Sequence, residues 1–100
     1  MVPESANFFI SLHTTRSRSR VARLFGPPTW SVRKCGWDDY EIASSFAELI
    51  IEAESPVLMH GVVADVETNA DQILAPLRTA GLTFTAECYG TGGELLQEWC

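Results

Sequence analysis

Apolar and polar positions alternate most cleanly over residues 82–89, where Leu82, Phe84, Ala86 and Cys88 point one way and Thr83, Thr85, Glu87 and Tyr89 the other. Period-two alternation marks a strand with one buried face. The segment Asn-Phe-Phe-Ile-Ser-Leu-His at 7–13 is rich in β-formers and predicts a first strand. Trp30 and Val32 alternate with Ser31 and Arg33 in a second. Residues 41–54 predict one long third strand, strongest from Phe46 to Glu54. Leu49, Ile50 and Ile51 are consecutive there, so both faces of that strand are apolar at its middle. Ser55-Pro56 ends the run, and Val57 to Val63 is a weaker extended segment, either an extra hairpin strand or a connection. Gly90-Thr91-Gly92-Gly93 has the composition of a hairpin loop, so Glu94 to Trp99 returns as an edge strand.

Two segments carry the helical period instead. Val21, Leu24 and Phe25 recur at helical spacing before Gly26-Pro27-Pro28, which predicts a short helix over 17–25. Ala70, Ile73, Leu74 and Leu77 mark one face of a second helix, with Thr68 and Asp71 spaced as a capping box and Gly81 placed as its terminating glycine. Pro76 removes one backbone donor and is expected to kink that helix. The resulting order, β-α-β-β-α-β with additions, resembles the ferredoxin-like arrangement. That resemblance implies an α+β two-layer sandwich: an antiparallel sheet, two helices on one face and an extra C-terminal edge strand. It carries no family-specific motif, so it assigns no active residues. Residues 1–100 are expected to form a single domain.

One helical layer covers one sheet face, and Ile50 cannot share that face with Leu49 and Ile51. Ile50 is therefore the candidate oligomer contact, and a homodimer through the open sheet face is expected.

Charge sharpens this picture. Six of the seven cations (Arg16, Arg18, Arg20, Arg23, Arg33 and Lys34) lie between positions 16 and 34, and with Glu4 they leave the first 34 residues at +5. Residues 35–100 hold Arg78 against twelve Asp and Glu, a sum of −11. A short basic patch on an acidic protein points to a local anion site or a self-complementary surface. In a ferredoxin-like fold a right-handed crossover places the exit of the first strand beside the exit of the second. His13, Arg16, Arg18, Arg33 and Lys34 would then share one rim and form a candidate anion-binding site. Pairing of these cations with Asp38, Asp39 and Glu41 is the competing account. The same rim would bring Cys35 near His13, the ingredients of a thiol–imidazole nucleophile, without any signature around Cys35.

Other chemistries find little support. His13, His60 and the cysteines at 35, 88 and 100 lack the short spacings of structural zinc sites, and no metal or cofactor is expected. The glycine loop at 90–93 has no following Lys-Ser/Thr pair and is no phosphate loop. The exposed side of the strands offers Glu48, Glu52, Glu54 and Glu87, which repel phosphate, so nucleic acid is not an expected partner. The apolar runs are far shorter than the roughly 20 residues of a membrane helix. Met1 to Ala6 lacks a basic leader, and three unpaired cysteines fit a reducing compartment, so the cytoplasm is expected. The pattern favours a non-enzymatic interaction module that binds a protein partner or a small anion. A small enzyme using the basic rim with His13 or Cys35 is the alternative.

Overall fold

Phe8, Ile10 and Leu12 are buried while Phe9 and His13 are exposed, and this alternation sets the geometry of β1 (Ser5–His13), the strand on which the fold is built. The computed structural model describes residues 5–13, 18–36, 39–52, 57–90 and 92–99. After β1 come α1 (Arg18–Ala22), β2 (Ser31–Cys35), β3 (Asp39–Ala43), β4 (Ala47–Glu52) and β5 (Val57–Ala64). Then follow α2 (Val66–Thr79), β6 (Thr83–Tyr89) and β7 (Leu95–Trp99). The seven strands form one sheet in the order β2-β3-β4-β5-β1-β6-β7, and every pairing is antiparallel.

This is not the ferredoxin-like sandwich that the element order implies. Residues 41–54 are not one strand. The chain reverses between β3 and β4, where the Ser44 N–H donates to the Ala47 carbonyl at 2.9 Å and the Phe46 N–H donates to Ser44 Oγ at 3.2 Å. A serine hydroxyl that takes up a nearby backbone donor offers the chain an alternative to a continued ladder. That reversal adds a strand, and the weak segment after Pro56 becomes β5, paired with both β1 and β4. A four-strand meander, β2 to β5, replaces the single hairpin of the ferredoxin-like order and carries β2 to the sheet edge. The helical share is correspondingly small: α1 has five residues and α2 fourteen.

One face of the sheet forms the core. Phe8, Ile10 and Leu12 of β1 join Leu49 and Ile51 of β4, Val57 and Met59 of β5, and Phe84 and Ala86 of β6 in one continuous cluster. Val21 and Ala22 of α1 and Ile73, Leu74 and Leu77 of α2 belong to the same cluster, with α1 against β3 and β4 and α2 against β5 and β6. Phe25, Trp30 and Phe46 close one end through edge-to-face contacts with centroids 5.3 Å apart. Phe84 is 4% exposed, so Phe84→Ala should cost about 3–5 kcal/mol in urea-melt stability, as buried aromatic truncations do. A loss below about 1 kcal/mol would place its ring outside the core.

α2 departs from its expected start. It begins at Val66, after Asp65 in a left-handed conformation (φ 53) with no side-chain cap, so Thr68 lies inside the first turn and does not cap it. The Thr68 and Asn69 N–H groups both donate to the Asp65 carbonyl at 3.0 Å, and Asn69 Nδ2 reaches back to the Ala64 carbonyl at 2.7 Å. Pro76 sits within the helix without ending it. Gly81 (φ 76) donates to Arg78 at 2.9 Å and Leu82 to Leu77 at 3.0 Å, the paired bonds that end a helix on a left-handed glycine.

Candidate interaction surface

The register that sends Phe8, Ile10 and Met59 into the core sends their neighbours to the opposite face. Phe9 of β1 pairs with His60 of β5, Ser11 with Leu58 and Asn7 with Val62. On β6 the same face carries Thr83, Thr85, Glu87 and Tyr89, and on β4 it carries Glu48, Ile50 and Glu52. Among the described residues neither helix packs on this side. Phe9, Leu58 and Val62 are accordingly 47%, 38% and 43% exposed. They form an apolar stripe along the two central strands, with half-buried Ile50 on its flank.

Polar groups frame the stripe and hold its aromatic rings. The Phe9 ring stacks on His60 (centroids 6.4 Å apart, 20° between planes) and meets Tyr89 edge-on at 5.8 Å. His60 Nε2 lies 3.0 Å from Glu52 Oε1, and the Tyr89 hydroxyl donates to Glu87 Oε2 at 2.8 Å. A concavity of about 360 Å³ opens between Phe9, Ser11, Leu58, His60, Thr85 and Glu87. Glu41, Glu48, Glu52, Glu87 and Glu98 all fall on this face by register. Its one arginine among the described residues, Arg33, is bonded to Glu41 at 3.0 Å across the edge pair. The surface is apolar at its centre and anionic around it.

Tyr89 reports on that frame. Its phenol is pushed above the ordinary tyrosine value, first by the hydrogen bond to Glu87, then by burial and by the charges of Glu87 and Glu98. The raised value means that the fold favours the neutral phenol. The stability this adds is present below pH about 10 and is lost as pH rises through the folded-state value. Glu87→Ala should bring the phenolate absorbance titration down toward pH 10, whereas an unchanged titration would deny the bond.

Among the described residues the basic candidates are spread, not gathered. His13 ends β1 and is exposed. Arg33 and Lys34 lie on edge strand β2, separated from β1 by β3, β4 and β5. At roughly 4.8 Å per strand that is about 19 Å, too far for one small anion to touch both groups. The crossover that was to bring the two exits together is absent because β5, not the strand of residues 30–35, lies beside β1. Arg16, with Thr14, Thr15, Trp37 and Asp38, falls outside the described residues, as does the side chain of Arg18. Cys35, at the end of β2, is separated from His13 by the same span. Cys35 and Cys88 are both free thiols; burial pushes the Cys88 thiol up, partly offset by its backbone hydrogen bond at Gln97. No three His, Cys, Asp or Glu among the described residues cluster as a metal site would require.

Phe9, Leu58 and Val62 were not legible as a surface from alternation alone. A signal existed in the apolar pairs Phe8-Phe9, Leu58-Met59 and Val62-Val63, since adjacent strand residues point to opposite faces. Only the pairing of β1 with β5 shows that these outward members fall side by side. No protein family, characterised protein or solved structure matches the chain.

Proposed function

We propose that this chain is a non-enzymatic protein-binding module of the cytoplasm and that the outer face of its sheet receives the partner. The observation that carries the reading is the exposed stripe of Phe9, Leu58 and Val62 on a sheet face that neither helix covers among the described residues. Contiguous apolar surface rimmed by polar groups is characteristic of interaction sites. The cytoplasmic setting rests on the free thiols, one of them buried within the core.

A homodimer is the form of association that Ile50 first implies. Symmetric pairing through this face brings the acidic flanks of the two copies together, Glu48 and Glu52 on one side and Glu87 on the other. Such like-charge juxtaposition disfavours a partner. A protein of opposite charge fits the surface better than a second copy. The carboxylates also oppose nucleic acid and free anions.

Selection from a displayed random-peptide library on the wild-type protein tests the reading, with Val62→Asp and Leu58→Ser as counter-targets. Both positions are partly exposed, so the variants should stay folded at a cost of about 1–2 kcal/mol, most for Val62→Asp, which sets a carboxylate opposite Glu48. Binders that lose at least tenfold affinity for these variants are the expected result. Binders indifferent to both substitutions, or concentration-dependent dimerisation abolished by Val62→Asp, would overturn it.

A further inference from the structure

The outer face has a width as well as a charge. Its apolar stripe runs along β5 and β1, and its nearer glutamates stand on the two flanking strands, Glu48 and Glu52 on β4 and Glu87 on β6. Three strand spacings separate those flanks, about 14 Å at 4.8 Å each. An α-helix with its side chains measures about 10–12 Å across. One helix spans the strip between the acidic flanks; a pair is wider than the strip, and a single added strand leaves much of it bare.

We infer that the partner element is a single amphipathic helix, apolar along one stripe and bearing Lys or Arg on both flanks, seated along β5 and β1. The inference rests on the binding role of this face proposed above and names what that face holds. Leucine-type side chains at i, i+3, i+4 and i+7 would meet Phe9, Leu58 and Val62, with one entering the concavity beside His60. Cations on either side of that stripe would reach Glu48 and Glu52 on one flank and Glu87 on the other. Glu52 and Glu87 are each engaged through one oxygen, with His60 and Tyr89 respectively, which fixes their carboxylates on the flanks of the apolar stripe. The surface also has an acid on each flank, so helix polarity is not dictated by charge alone.

The probe is a synthetic peptide of about fourteen residues, roughly 21 Å as a helix, with leucines at the helical repeat and lysines on both flanks. Three comparisons accompany it: the same composition scrambled to destroy the stripe, lysines replaced by glutamate, and the protein variant Glu48→Lys with Glu87→Lys. The amphipathic basic peptide should gain helical circular dichroism on binding and bind at least tenfold more tightly than either altered peptide. Binding should weaken with added salt. The double variant neutralises the face, because Glu41, Glu52 and Glu98 remain, so its preference for the lysine peptide over the glutamate one should fall at least tenfold. Equal binding of the scrambled peptide, or an undiminished lysine preference in the double variant, would overturn the inference. Library binders that depend on Val62 yet are extended or acidic would overturn the helix while leaving the binding face intact. Binders indifferent to Val62 and Leu58 would overturn both.

Discussion

Gly61→Ala is expected to destabilise the protein by about 3 kcal/mol, the upper end of overpacking costs, and to lower its melting temperature by roughly 12–24 °C. Gly61 lies in β5 between Phe8 of β1 and Leu49 of β4. A methyl group there would collide with the Glu48 carbonyl oxygen and stand 2.9 Å from the Glu48 carbonyl carbon and from Leu49 Cα. These are backbone atoms of an interior strand, so no side chain can swing aside to make room. The close approach is local to this junction, where the Ala64 N–H also donates to the Phe46 carbonyl at 2.7 Å. Separating β4 from β5 would disturb the ladder beneath the outer face as well as the core. A thermal melt followed by circular dichroism measures the effect, and a drop under about 4 °C, near 1 kcal/mol or less, would show that the strands are not held so closely.

Phe8→Ala should cost about 3–5 kcal/mol, whereas Phe9→Ala, at a half-buried position, should cost only about 1–2 kcal/mol. The two phenylalanines are adjacent in sequence and chemically identical, so the contrast isolates the direction in which each points. Phe8 is fully buried, opposite Gly61 and Cys88 in the flanking strands, and its ring stacks on Trp99 at 5.3 Å with 13° between planes. Its loss opens a cavity and removes a ring contact that adds to the β6 ladder in holding edge strand β7. Faster amide exchange in β7 should therefore accompany the loss of stability. Phe9 is 47% exposed and meets the rings of His60 and Tyr89 on the outer face. Urea denaturation of both variants checks the register directly. Equal losses, or a larger loss for Phe9, would mean that β1 is turned over, since a one-residue slip exchanges the two faces.

Local pattern and long-range pairing contributed differently to what could be read. The alternation of Leu82 through Tyr89 is a property of one strand, and it located β6 and its buried side correctly. Gly81 likewise ends α2 through a local left-handed turn. The reversal at Ser44 was hidden because Ile42 and Leu49, apolar on both sides of it, continue what looks like a single run. Once that turn is missed, the strand count, the neighbours of β1 and the position of β2 all go astray together. The expected meeting of His13 with Arg33 and Lys34 depended on that topology, and no residue-level pattern could correct it. The binding face was half visible. The glutamates of β4 and β6 and the surplus apolar residue Ile50 stood in the sequence, but Phe9, Leu58 and Val62 become a stripe only when β5 pairs with β1.

Backbone amide shifts of the nitrogen-15-labelled protein, followed during titration with the basic amphipathic peptide, address the central claim that the outer face binds. Perturbations should concentrate in β1, β4, β5 and β6, greatest near Phe9, Leu58, His60 and Val62, and should disappear in Val62→Asp. Perturbations centred on α1, α2 or the edge strand β2, and undiminished by Val62→Asp, would contradict the account and move the binding surface elsewhere on the molecule.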